Sequence, residues 1–354
     1  MANSTIDELS IPATLDDESA PDFVHMIEVV GEVDELSYGN RELYYEPAEE
    51  LPDYNDRFYP YRVFLARVDG SIVGRGLYKA DLDENNDSAW ASVSVLPDHR
   101  HRGIGVALAD RVEQVAREYG KSKLLAYMGV QPTAGEQLPS PTGFGSVPAD
   151  NRDVKFLLTR GYTFEQVERL SRLPLPIENL DELVDDAASA SGPDYALHTW
   201  VGSTPERWLE DVAVLITRMS TDAPSAGLEQ PEVVFTVERV LALDERDAAS
   251  PRTRLVAGVE HVPSGTLVGF TVLSVPSQLD RNVDQYATLV LHEHRGHRLG
   301  MLLKVANLQH LERVAPGHPA VVTFNAEENR HMLSVNEAVG FVPIGMEACW
   351  RLNL

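Results

Sequence analysis

The chain has 354 residues, and 55 acidic against 30 basic side chains leave a net charge of −25. That excess disfavours wrapping nucleic acid or lying on an anionic membrane. No run of about 18 apolar residues is present to span a bilayer, and the single cysteine, Cys349, excludes an internal disulfide or a thiolate-rich metal site. At roughly 150 residues per domain the length predicts two domains. The first twenty residues are acidic and lack the charged-then-apolar order of a secretory signal, which predicts a cytoplasmic protein.

In chain order, Ile6 to Ile11 reads as an edge strand, and Phe64–Val68, an Asp69-Gly70 turn and Ser71–Gly74 read as a hairpin. The next strand alternates Trp90, Ser92 and Ser94 against Ala91, Val93 and Val95. A basic turn, Arg100-His101-Arg102-Gly103-Ile104-Gly105, then opens a helix whose apolar face is Ile104, Leu108, Val112, Val115 and Tyr119. A strand from Lys123 to Met128 follows, then a Pro/Gly/Ser-rich loop from Gln131 to Asp150 and a short helix closed by Gly161-Tyr162. Ile177 to Asp194, acidic and rich in Ala and Ser, reads as a linker. Beyond it lie an apolar helix from Trp208 to Ile216, ended by a turn over Arg218–Pro224, and a hairpin from Leu255–His261 and Leu267–Val275. A strand through Tyr286–Leu291, a second basic turn, a helix with Leu299, Leu302, Leu303 and Ala306 inward, and a strand from Ala320 to Asn325 come next. A short helix closed by Gly340-Phe341 precedes the final strand, where Cys349 and Trp350 read as core.

These elements repeat. Val73-Gly74, Val95, His99-Arg100 and Ile104-Gly105 recur as Val268-Gly269, Val290, His294-Arg295 and Leu299-Gly300, each pair separated by 195 residues. A shared offset across two strands and a loop predicts two copies of one domain, at 1–176 and 195–354, joined by 177–194. In each copy the chemistry falls at the strand–turn–helix. Glycines there let backbone N–H groups approach a ligand, and a helix N-terminus favours phosphate. Arginines in that turn oppose the acidic whole, which predicts an anionic ligand at this spot. His292, His294 and His297 belong to the same turn, so no metal is expected from their spacing.

Val95-Leu96-Pro97 followed by Arg100-x-x-Gly103-x-Gly105 resembles the pyrophosphate-binding motif of the GNAT acyltransferases. With its repeat, the chain resembles a tandem GNAT, in the mycothiol synthase-like layout of actinobacterial two-domain members. The resemblance implies an α/β fold with an α+β mixed sheet, acetyl-CoA as cosubstrate, no metal, and acetyl transfer to a primary amine of a small molecule. It places the cofactor on Val95, Arg100, His101, Arg102, Gly103, Ile104 and Gly105 in the first copy. In the second copy the positions are Val290, Arg295, Gly296, His297, Arg298, Leu299, Gly300 and Met301, with Asn325 and Asn329 on the cofactor arm. Arg298 departs from the motif by standing where Gly103 stands.

The catalytic groups depart further. The family often carries a tyrosine acid four residues before the helix-closing glycine, where this chain has Asn336 and Leu157, neither able to protonate a thiolate. Tyr286 is the alternative acid. Asp284, six residues before Val290, stands where many members carry a base, and Glu260 is the second candidate. The first copy has Ala89 there, with Asp87 nearby. These residues favour catalysis in the second copy. Two alternatives stay open: catalysis in the first copy, whose glycines are intact, and a sensor that binds acyl-CoA without turnover. The negative field predicts a cationic acceptor such as a polyamine or amino sugar, and the chain is expected as a monomer or homodimer.

Overall fold

The computed structural model describes residues 4–83, 85–222 and 224–354. The first half runs β1 (Ser4–Glu8), α1 (Ala20–Tyr38), α2 (Pro47–Tyr54), β2 (Tyr61–Val68), β3 (Ser71–Ala80), β4 (Ser88–Val95), α3 (Ile104–Glu118) and β5 (Lys123–Val130). It ends with β6 (Gln137–Pro139), β7 (Ser146–Pro148), α4 (Arg152–Thr159) and β8 (Thr163–Pro174). The second half runs α5 (Leu180–Ser191), β9 (Tyr195–Val201), α6 (Leu209–Asp222), α7 (Val237–Ala249), β10 (Thr253–His261), β11 (Thr266–Val275) and β12 (Val283–Val290). α8 (Leu299–Val314), β13 (Ala320–Ala326), α9 (Arg330–Val339) and β14 (Val342–Asn353) complete it.

Twelve of these strands form one sheet in the order β1-β2-β3-β4-β5-β14-β8-β13-β12-β11-β10-β9. The centre of that order is an exchange. β14, the last strand of the second half, lies between β5 and β8 of the first; β8, the last strand of the first, lies between β14 and β13. Each closes the other half's sheet, so the ladder partners of these 12-residue strands lie across the boundary.

Two pairings are parallel, and both are short. β4 meets β5 only over Ser88–Trp90 and Lys123–Leu125, and β12 meets β13 only over Val283–Asp284 and Val321–Val322. Beyond these points the strands part, opening one wedge in each half.

Helices cover both faces. α3 and α8 pack on one face through cores that include Leu108, Val112 and Val115, and Leu299, Leu303 and Val305. On the other, α1 and α2 bury Phe23, Met26 and Leu51, and α6 and α7 bury Val212, Leu215 and Val240. The segment read as a linker contains α5, which buries Leu180 and Ala187 against the α8 core. The loop from Gln131 to Asp150 contains the β6–β7 hairpin, which buries Val147. Arg218–Asp222, read as a turn, continues α6 instead, and Asp222 bonds Arg295 at 2.6 Å. Ala223, within the same stretch, lies outside the described residues. Cys349 and Trp350 are fully buried.

Candidate functional site

The two basic turns are built alike. Each contains two residues with positive φ before its helix: His101 (59°) and Gly103 (83°) in the first, Gly296 (90°) and Arg298 (54°) in the second. The glycine has moved from one left-handed position to the other, so Arg298 departs in sequence while its backbone matches Gly103. In both turns the arginine reaches back to the preceding strand, Arg100 Nε donating to the Val95 carbonyl at 2.6 Å and Arg295 Nε to that of Val290 at 3.1 Å.

The helices that follow start uncapped. α4 and α9 receive side-chain caps from Asn151 and Asn329, whereas α3 and α8 have none. Their first intrahelical donors are the N–H groups of Ala107 and Leu302, which leaves those of Ile104, Gly105 and Val106, and of Leu299, Gly300 and Met301, to face outward. Ile104, Leu299 and Met301 bury their side chains, so only their backbone can serve a ligand. A Cβ on Gly300 would meet nothing within 4 Å, and one on Gly105 only Val95 at 3.8 Å. The residues present thus form two open anion cradles of helix N–H groups beside exposed Arg102, His297 and Arg298.

The wedges differ. β3 and β4 pair in unbroken register from Gly74↔Val95 to Ala80↔Ala89. In the second half the register jumps from Thr271↔Thr288 to Leu273↔Gln285, one residue of β11 (Val272) facing two of β12 (Tyr286 and Ala287). This is a β-bulge at the mouth of the wedge. Buried Gln285 holds it, its Nε2 donating to the carbonyls of Val272 (2.8 Å) and Ala287 (3.1 Å) and to Thr271 Oγ1 (2.9 Å). Thr271 Oγ1 donates to the Ala287 carbonyl at 2.9 Å, and Thr323 Oγ1 to that of Gln285 at 3.1 Å. The bulged carbonyls are therefore satisfied from inside the protein.

Asp284 lies at the closed end of this wedge, buried and ion-paired with Arg252. Burial pushes its carboxyl up to about 6, against the pull of Arg252, Tyr45 and Arg281. Tyr286 exposes 59% of its surface at the cleft mouth, while burial of its hydroxyl and the Asp284 carboxylate push that group up to about 12. Tyr45 and Glu49, both from the first half, complete the group: Glu49 pairs with Arg252 at 3.2 Å and Arg281 at 2.8 Å, and the Arg252 guanidinium lies 5.0 Å from the Tyr45 ring centre. Sequence reasoning missed these two because nothing local ties residues 45 and 49 to residues some 240 positions away.

Other candidates fall elsewhere. Glu260 lies six residues along β10 from Arg254, the residue level with Asp284, or about 20 Å. There it accepts from His198 Nε2 at 2.7 Å, so the two candidate bases do not converge. Asn336 is buried and donates to Asn325 Oδ1 at 2.6 Å, and Asn329 accepts from Met332 N at 3.2 Å as the cap of α9. Both shape the α9 entrance from within. His294 bonds Tyr195 at 3.0 Å, and His261 and His297 pack beside them. Among the described residues no group of three or more His, Cys, Asp or Glu is arranged to hold a metal.

Residues 33–136 match the model of the acetyltransferase (GNAT) family. The fold is similar to that of a tandem GNAT protein from the clavulanic acid biosynthesis pathway, with a TM-score of 0.75 at 23% identity over 99% of this chain and 98% of that one. It is also similar to a GCN5-related N-acetyltransferase from Sphaerobacter thermophilus (TM-score 0.60, 13% identity, 98% and 95% covered). A third is the N-myristoyltransferase of Saccharomyces cerevisiae (TM-score 0.58, 13% identity, 98% and 80% covered). No curated protein matches the sequence. Residues 33–136 therefore match the GNAT acetyltransferase family model, and the chain as a whole shares the two-domain fold of a tandem GNAT protein.

Proposed function

We propose that this chain transfers an acetyl group from acetyl-CoA to a primary amine of a small cationic acceptor, with the chemistry in the second half. The observation that carries the choice of half is the bulge on β12 with Asp284 and Tyr286 at its foot, set against a regular β4 that carries Ala89 in place of Asp284. Acetyl-CoA supplies the activated thioester. The N–H groups of Leu299, Gly300 and Met301 bind its pyrophosphate, and Arg298 and His297 add donors from the same turn. Backbone N–H groups released from the ladder near the bulge polarise the thioester carbonyl. Asp284, with a proton affinity close to neutral pH, takes the proton of the incoming ammonium, and the Tyr286 hydroxyl returns a proton to the departing thiolate sulfur. The first half, on this reading, keeps a cradle and a cleft and serves acceptor binding. Its intact Gly103 and Gly105, together with the family match over 33–136, favour the reverse assignment as the second reading.

Amine-dependent release of CoA separates the two. Asp284→Asn is expected to lower kcat by about 10²–10⁴-fold, while Asp87→Asn in the first half leaves it within about twofold of the parent. Loss in Asp87→Asn alone would transfer the chemistry to the first half.

A further inference from the structure

Residues 224–230 follow α6 in the second half, yet most of their anchors lie on the first. Gln166 Nε2 in β8 donates to the Pro224 carbonyl at 3.0 Å, and Gln230 Nε2 donates to the Tyr127 hydroxyl in β5 at 2.7 Å. Glu229 pairs with Lys123 in β5 at 3.2 Å and with Arg351 in β14 at 2.8 Å. Gly227 lies so close to β8 that a Cβ there would collide with the Glu165 carboxylate. Ala226 and Glu229 hold positive φ, 45° and 51°, without being glycine. Backbone strain of that kind persists only where the surroundings over-determine it.

What these residues cover is the start of the first-half wedge. Ala89, Ala91, Leu124 and Ala126 belong to the core under α3, so alternation turns Trp90, Leu125 and Tyr127 to the other face of the sheet. Trp90 and Leu125 are the last parallel pair before β4 and β5 part. Leu228, 1% exposed, is buried there with Leu125 and Cys349, against Trp90 and Tyr127. Farther along β5, the Tyr38 ring of α1 lies against Gly129. The second-half wedge is more open, with Tyr286 largely exposed at its mouth.

We propose that residues 224–230 are a strap that shuts the first-half wedge on the face opposite its cradle, so that this half holds an acyl-CoA whose thioester no nucleophile reaches. Leu228 is the plug, and Glu229 and Gln230 are its ties. The cradle itself stays open, because it stands at the start of α3 on the other face. Acyl transfer is then confined to the second-half wedge, to which the first half contributes Tyr45 and Glu49. The proposal rests on the acyl-transfer reading above only for acyl-CoA as the ligand.

Hydroxylamine tests it, as a small neutral nucleophile that cleaves a thioester it can reach. Its nitrogen adds to the carbonyl carbon and the C–S bond breaks. The sulfur leaves with the bonding pair and takes up the proton that nitrogen sheds, giving acetohydroxamate and CoA. In Gly300→Trp, held in excess over acetyl-CoA so that the first half carries it, cleavage is expected to be at least about 10-fold slower than for free acetyl-CoA. Gly105→Trp is expected to protect by less than about twofold. Leu228→Ala and Glu229→Ala, each added to Gly300→Trp and checked by thermal melting, are expected to speed cleavage by about 10-fold and about threefold. Absence of calorimetric acetyl-CoA binding by Gly300→Trp, or protection that neither strap variant reduces, would overturn the proposal. N-ethylmaleimide labelling of Cys349, which is buried with Leu228, reports strap opening independently. Faster labelling in the variants with protection unchanged would also overturn it. Protection in Gly300→Trp without amine-dependent CoA release from the parent would instead count against the acyl-transfer reading and leave the strap standing.

Discussion

The two halves share a loop and differ in a strand. Their basic turns repeat the same backbone, the same arginine-to-strand bond and the same uncapped helix start, although the glycine has changed position. The central strands behind those turns diverge: β4 is regular, whereas β12 is bulged and clamped by Gln285. A cradle for an anion is cheap to keep, because it needs only a helix start without a cap. A bulge is harder to keep, because each displaced carbonyl needs a new donor inside the core. The half that retains the second feature is the one assigned the chemistry.

This contrast also shows what the sequence made legible. The 195-residue offset located both turns and both hairpins, because local patterning dictates each of them. Thr271 is a polar residue in the otherwise apolar strand β11, a signal for an internal hydrogen-bond network. The strand exchange was not legible. β8 and β14 alternate like any closing strands, and nothing along the chain tells which half each closes. For the same reason Tyr45 and Glu49 could not be attached to Asp284, since that contact exists only once the halves are joined.

The join itself should give the largest effect on stability. Arg239 in α7 and Asp81 after β3 form a buried pair at 2.6 Å across the halves, with 8% and 0% of their side chains exposed. Arg239→Met leaves Asp81 buried without its partner and is expected to cost about 3–5 kcal/mol, read from urea unfolding. If the halves then melt in two steps, the exchange of β8 and β14 does not hold them as one unit. Gln285→Leu should come next, at about 1–3 kcal/mol, because it removes the Gln285 donor from the Val272 carbonyl and leaves the Ala287 carbonyl with Thr271 Oγ1 alone. Turnover should fall with it; retained turnover would separate the bulge from the chemistry.

A pH series probes the exchanged strand β14, which closes the first half's sheet. Burial pushes Glu347 up to about 8, beside Glu168 and Asp34 and with its carboxylate accepting from Tyr38 at 2.7 Å. Between the ordinary glutamate range and about pH 8 the folded chain therefore binds more protons at this site than the unfolded chain. Its contribution to stability is present at low pH and is lost as pH rises through that window. Glu347→Gln removes the titration. Its melting temperature should gain on that of the parent progressively from about pH 5 to pH 8 and level off above. A constant difference would place the carboxylate in ordinary solvent. The smallest effect is at the second-half turn: Arg298→Gly relieves a left-handed backbone at a non-glycine residue and is expected to stabilise by about 1 kcal/mol. Destabilisation would show that the arginine is held by more than its backbone.

The central claim is that the cradle serving the chemistry is the one on α8. Matched substitutions at Gly105 and Gly300 test it, because neither has positive φ and a side chain there points into open space rather than into the core. Titration calorimetry with acetyl-CoA, paired with CoA release in the presence of an accepted amine, should be run on Gly105→Trp and Gly300→Trp. The account expects Gly300→Trp to lose turnover along with a binding site, and Gly105→Trp to keep turnover whatever its binding. Turnover lost in Gly105→Trp and retained in Gly300→Trp would contradict it.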